Sequence, residues 1–465
     1  MNSKLIRATV CLLALTPWLA HAQSNVSLWL TNPDRSALFQ LQTPPIPFTK
    51  TPATNQTIDV DPAKTFQTID GFGFALTGGS AQLIIHMDPE ARAALLHQLF
   101  ATDGDNIGVS YLRLSVGASD MNDHVFSYDD LPEGQTDTAM EKFSIDPDKA
   151  DVIPVMKQIL AINPQIKILA SPWSAPLWMK TSGVARGGVL KPEYFPAYAT
   201  YFVKYIQAMK AEGIPIDTLT IQNEPLNEKN TPSMLMLESE LDIFIKDNLG
   251  PAFKKAGITT KIVLYDHNLD HPLYPLSILR DPAANKYIDG TGFHLYGGTT
   301  DALTQVHDAF PNKNLYFTEQ SVTARSDDAI NLSKPVANII IGATRNWSRN
   351  VLLWNLAADP NNGPHTNDGG CTFCRGALTI DGNKFTPLLA YYTLAHASKF
   401  VRPGSVRIAS STLDPLPNVA FKTPDGKRVL IVTNTSDTTQ KFDVRSGTNL
   451  FSTSLNPGSV GTYVW

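Results

Sequence analysis

An eightfold αβ barrel, a (β/α)8 TIM barrel, with a flanking β-sandwich formed from both chain termini is the fold this sequence predicts. Three observations carry it. Eight short β-rich runs recur through the middle of the chain, each followed by a helix-like segment. The two ends instead alternate apolar and polar residues at period two, with turn signals between. At 465 residues the chain has room for a barrel of about 250 residues and a smaller β domain.

Taken in order, residues 1–22 read as a secretory signal peptide. Lys4 and Arg7 precede an apolar stretch over 8–20, and Ala20-His21-Ala22 has the small-x-small form of a cleavage site. An exported protein, periplasmic or extracellular, is expected. Residues 23–65 hold short strands at 26–30 and 57–60 around a Pro/Thr-rich connector at 43–52, and are assigned to the sandwich. Residues 66–399 are assigned to the barrel. Its strand runs are 71–76, 109–116, 166–171, 218–222, 261–265, 291–296, 314–318 and 350–354. The near-unbroken apolar character of 166–170 suits a parallel strand buried on both faces. Helical segments fall at 89–100, 150–160, 192–212, 238–255 and 332–347. Asp88-Pro89-Glu90 sets a cap residue before a first-turn proline and an acid. Residues 400–465 return to period two at 419–422, 428–433 and 441–444, with Asp425-Gly426 as a turn, and complete the sandwich. A doubly wound open sheet is the alternative for the middle of the chain.

Composition narrows the function. Apolar residues make up 43% and charged residues 17%, which excludes a disordered chain. Thirty-eight basic against 43 acidic residues leave a net charge of −5, with no electrostatic footprint for nucleic acid. Beyond residue 22 no apolar run approaches the ~20 residues of a membrane span, so stable membrane insertion is not expected. Loss of the leader removes Cys11 and leaves Cys371 and Cys374, a CxxC pair that could close a disulfide in an oxidising compartment. There is no second CxxC to complete a zinc site, and no metal or cofactor is expected. His267 and His271 stand at i, i+4, but in a loop with Pro272 and without a metalloprotease glutamate, so a cleft-lining or hydrogen-bonding role is expected. Gly71-Phe72-Gly73 lacks the third glycine of a dinucleotide loop.

Barrels of this kind carry their chemistry at the C-terminal ends of the strands. Glu224 ends the fourth run and Glu319 the seventh. Both therefore face one cavity. Two carboxyl groups flanking a bond, about 5–5.5 Å apart, are what a retaining glycosidase needs. One attacks the anomeric carbon; the other protonates the leaving oxygen and later activates water.

Several stretches then carry a resemblance: Gly71-Phe72-Gly73-Phe74-Ala75-Leu76-Thr77, Leu112-Arg113-Leu114 through Gly117-Ala118-Ser119-Asp120, Ala170-Ser171-Pro172-Trp173-Ser174, Gln222-Asn223-Glu224-Pro225, Phe293-His294-Leu295-Tyr296, Phe317-Thr318-Glu319 and Leu353-Trp354-Asn355-Leu356-Ala357. In this order they closely resemble glycoside hydrolase family 30, the glucosylceramidase family. The resemblance implies that Glu224 is the acid/base and Glu319 the nucleophile. It implies that Asn223 bonds the 2-hydroxyl, Arg113 orients the nucleophile, Asp120 and Trp173 hold the 4- and 6-hydroxyls, and His294, Tyr296 and Trp354 complete the pocket wall. The expected activity is hydrolysis of β-glucosidic bonds in a glycan or glycolipid, of the glucosylceramidase type. The alternatives are an endo-β-1,6-glucanase with the same pair and a non-catalytic glycan-binding protein. Residues 359–365 and the loop 369–374 depart from the human-type pattern and are expected to shape the aglycone side.

Overall fold

The computed structural model describes residues 25–322 and 331–465, so the leader expected over 1–22 lies outside the described residues. Eight parallel strands close into a barrel: Gly71–Leu76, Tyr111–Ser115, Lys167–Ser171, Thr218–Thr220, Lys261–Asn268, Ile288–His294, Asn314–Glu319 and Ser348–Asn355. They are barrel strands one to eight below. Strand eight pairs with strand one from Asn350 against Gly71 onward, and this closure excludes the open sheet. Strands one and two meet so tightly that a Cβ on Gly73 would lie 1.5 Å from the carbonyl oxygen of Tyr111. That backbone contact, rather than a phosphate, is what the Gly71-Phe72-Gly73 run serves.

The outer helices form where apolar spacing places them. Pro89–Phe100 turns Leu95, Leu96, Leu99 and Phe100 inward. Its N-cap Asp88 makes no capping hydrogen bond; the carboxylate instead accepts one from Asn383 at 2.6 Å. Two expected helices are compound. Glu238–Ile243 and Gly250–Ala256 flank a π-helical stretch at Phe244–Leu249, and Ser333–Pro335 and Gly342–Arg345 flank another at Val336–Ile341. Among the described residues no helix is long and apolar enough to cross a membrane.

Both termini build one curled nine-stranded sheet. Its third strand from one edge is the long Gln56–Thr68, which pairs in parallel with Gln440–Ser446 through its first half and antiparallel with Val406–Ser410 through its second. One strand thus passes between the two layers, and it runs on past residue 65 to the threshold of the barrel. The N-terminal strand Ser27–Thr31 sits beside the C-terminal strand Val460–Val464. Period-two alternation sorts the faces. Leu430 and Val432 join Phe442, Val444, Phe451 and Tyr463 in the sandwich core. Val429 and Ile431 on the same strand pack into the barrel's core instead. The sheet is therefore buried on both faces where it meets the barrel.

Candidate active site

Arg113, fully buried on strand two, is the floor of the barrel mouth. Its guanidinium donates to Glu319 at 2.5 Å, Asn223 at 2.7 Å, Asp266 at 2.8 Å and Ser171 at 3.2 Å. One cation thus ties together the ends of strands two, three, five and seven and the segment after strand four. Asp266 is the second hub. Its carboxylate also accepts from Ser171 and Thr220, each at 2.7 Å, and lies 3.0 Å from Nε2 of His294. Nδ1 of the same imidazole lies 3.2 Å from Glu224 and 3.9 Å from Glu319. Asn227 donates to Glu224 at 2.6 Å and the Tyr296 hydroxyl to Glu319 at 2.9 Å.

The backbone bends to aim these groups. Pairing slips between Tyr265 and His267, between Phe317 and Glu319, and between Leu353 and Asn355, all at the C-terminal ends of barrel strands. Such irregularities re-aim side chains at barrel rims. Glu224, Tyr265 and Asp266 hold left-handed backbone, at φ of 45°, 72° and 58°. The Glu224 amide donates to the Asp266 carbonyl at 3.0 Å, so the strained segments support each other. Residues held this way cost on the order of 1–3 kcal/mol each and cluster at functional sites.

Electrostatics follow from the crowding. A neutral imidazole could not donate to two carboxylates at once; an imidazolium does. Burial pushes His294 down, but the charge of Glu319 and the hydrogen bonds to Asp266 and Glu224 prevail and bring it up to about 9. Burial pushes Glu224 up, yet the hydrogen bond and charge of His294 take it down to about 2. Glu319 stays above the ordinary range because burial outweighs the pull of His294 and Arg113. Burial raises Asp266 too, and Arg113 and His294 hold it well below the usual range. The resting proton of the Glu224–His294 pair therefore sits on the imidazole. Burial, reinforced by Glu319 and Glu224, pushes Asp120 up to about 8, and its Oδ1 is buried without a partner. Single donor atoms of Glu224, His294 and Glu319 lie within 4.8 Å of one another, a grouping that could in principle hold a metal ion. Here both imidazole nitrogens already face carboxylates and Arg113 already neutralises Glu319.

Trp173 and Trp354 form the wall, their rings 5.3 Å apart, with the Arg113 guanidinium 4.7 Å from the first and 5.6 Å from the second. Cys371 and Cys374 are bonded to each other, and Cys374 belongs to one buried cluster with Ala75, Met121 and both tryptophans. The strand-eight loop runs from Thr366, whose amide donates to the Asp120 carbonyl at 3.0 Å, to Gly369, whose carbonyl accepts from Thr231 at 3.3 Å. It lies along the Asp120–Trp173–Trp354 wall and reaches the segment after strand four. A separate cavity of about 590 Å³ opens beside Glu224, lined among others by Asn227, Lys229, His267, Asp270 and Tyr296.

All nine residues singled out for catalysis or binding thus meet at one mouth. Sequence reasoning missed Asp266, Ser171, Thr220 and Asn227. It ended the fifth strand at 265, whereas the strand continues to Asn268 because His267 and Asn268 pair with Phe293 and His294 on strand six. An acid one residue past a predicted barrel strand was the available signal.

The glycosyl hydrolase family 30 TIM-barrel domain matches residues 69–401, and the β-sandwich domain of the same family matches 404–463. The chain belongs to glycoside hydrolase family 30. This family 30 protein is accordingly a glycosidase with a carbohydrate substrate. It is 34% identical over 446 residues to an endo-1,6-β-D-glucanase of Neurospora crassa, covering 91% of each chain. It is 30% identical over 444 residues to mouse lysosomal acid glucosylceramidase, covering 89% of this chain and 84% of that one. The solved structure of the endo-β1,6-glucanase BT3312 superposes with a TM-score of 0.88 at 36% identity, over 95% of this chain and 99% of the other.

Proposed function

We propose that this family 30 hydrolase is an exported endo-β-1,6-glucanase working by double displacement. The observation that carries the reading is similarity over nearly the whole chain to endo-1,6-glucanases, at 34% and 36% identity against 30% for the mouse glucosylceramidase. The glucosylceramidase type favoured by the sequence resemblance gives way on this ground. The lining of the cavity beside Glu224 agrees: Asn227, Lys229, His267 and Asp270 suit a hydroxyl-bearing leaving unit better than an alkyl chain. The leader over 1–22 supports export.

In this reading Glu319 is the nucleophile. Arg113 at 2.5 Å favours its charged form against the push of burial, and Tyr296 orients it. Glu319 attacks the anomeric carbon, the bond to the leaving O6 breaks, and Glu224 delivers a proton to that oxygen. The proton originates on His294 and crosses the 3.2 Å hydrogen bond to Glu224. Formation of the glycosyl ester removes the charge on Glu319, the strongest upward pull on His294, so proton transfer and nucleophilic attack favour each other. Water then attacks the ester carbon, Glu224 takes its proton, and Glu319 leaves. Oxygens of the two carboxyls within 4.8 Å fit the close spacing of retaining enzymes. In this reading Asn223 bonds the 2-hydroxyl and Asp120 with Trp173 holds the 4-hydroxyl, because O6 of the glucosyl unit at the cleaved bond carries the next sugar of the chain.

The test is product analysis of the purified protein on a β-1,6-glucan and on glucosylceramide in detergent. The expected result is β-1,6-linked oligosaccharides of mixed length from the glucan, released first as β-anomers. Glucose and ceramide from the lipid, with the glucan untouched, would overturn the reading.

A further inference from the structure

His267 forms part of the wall of the cavity beside Glu224. It is only 7% exposed; its Nδ1 is sealed within the protein without a hydrogen-bond partner, and no residue among those described bonds its Nε2. The chain thus leaves Nε2, the ring nitrogen that is not sealed in, open to a hydrogen-bond partner from the cavity. The ring is held by packing instead of hydrogen bonds. It lies 5.7 Å from the Tyr265 ring, which in turn packs 5.0 Å from Tyr274 and is anchored by its hydroxyl on the Asn268 carbonyl at 2.7 Å. Burial pushes His267 down to about 4 against the pull of Glu224, Asp270 and Asp266, so the ring is neutral at working pH and offers one donor and one acceptor.

We propose that His267 binds the glucosyl unit on the departing side of the scissile bond, and that the cavity beside Glu224 is the subsite selecting that sugar. The inference rests on the glucanase reading. The same subsite receives the attacking molecule in the second half of the reaction. There a sugar hydroxyl can replace water: its oxygen bonds to the anomeric carbon, the ester bond to Glu319 breaks, and its proton goes to Glu224. A residue that binds the departing sugar must therefore also favour transfer to a sugar over hydrolysis.

The experiment uses 4-nitrophenyl β-glucoside as donor and gentiobiose as acceptor. The ratio of trisaccharide to free glucose is read from a single glycosyl-enzyme. Both fates need Glu224 as base, so a change in Glu224 acidity cancels from the ratio, and a merely structural role does not move it. Nitrophenol release shows that each variant is folded. Loss of one hydrogen bond to a neutral group lowers the ratio about tenfold in His267→Ala and in the bulkier His267→Leu, while His267→Gln recovers much of it. A ratio unchanged in both apolar variants overturns the assignment and leaves the glucanase reading standing. A wild-type enzyme that neither cuts β-1,6-glucan nor transfers to gentiobiose overturns both.

Discussion

The barrel mouth and the terminal sheet are both densely buried, and they bury opposite things. In the sheet, Leu430, Val432, Phe442 and Val444 fill an apolar core. At the mouth, Arg113, Asp266, His294, Glu224 and Glu319 share one buried volume. Buried ion pairs are weak sources of stability, and apolar residues of similar volume are often neutral or better. The mouth is therefore arranged for chemistry and depends on packing elsewhere for its rigidity. The sheet supplies some of that packing, since Val429 and Ile431 belong to the barrel's core. Changes at the mouth should alter turnover with the fold intact, and changes in the sheet should do the reverse.

The largest expected effect is at Glu319. Glu319→Ala should lower turnover of the glucan on the order of 10⁵-fold. Azide should restore part of the rate on an activated aryl β-glucoside, giving an α-glucosyl azide that NMR identifies. Glu224→Ala comes next, with a loss of about 10²–10⁴-fold on the glucan. The loss should be far smaller on aryl glucosides whose leaving groups need no proton, so a plot of rate against leaving-group pKa should steepen.

His294 sharpens the comparison further. The Glu224–His294 pair holds its proton below about pH 9 and loses it as pH rises through that value, so glucan hydrolysis should fall on the alkaline side. In His294→Asn the proton must sit on Glu224 alone, and the alkaline limb of the kcat/KM profile should move to lower pH. An unmoved limb would take His294 out of the proton path. The smallest effect on turnover is expected in the sheet. Phe442→Ala should cost about 3–5 kcal/mol of stability, read as a lower Tm, with kcat on the aryl glucoside unchanged at low temperature. A matching loss of kcat would show that the sheet shapes the mouth as well as supporting it.

Much of this organisation is local and so was legible in the sequence. Eight apolar runs with helical segments between them specify a barrel because a parallel strand is buried on both faces. Period two at both ends specifies sheet because alternate side chains take opposite faces. Strand ends then place Glu224 and Glu319 at one mouth. What tertiary structure alone decided is how the mouth is wired. Asp266 meets Arg113 across 153 positions of chain, and no local pattern encodes that contact. The slipped pairing and left-handed backbone that aim Asp266 lie where strand five continues along strand six beyond residue 265, the end of its apolar run. His267 shows the same limit. Its spacing from His271 suggested a histidine pair, and only the packed barrel turns its ring onto the cavity beside Glu224. Periodicity is a property of neighbours in sequence, whereas a buried charge network is a property of neighbours in space.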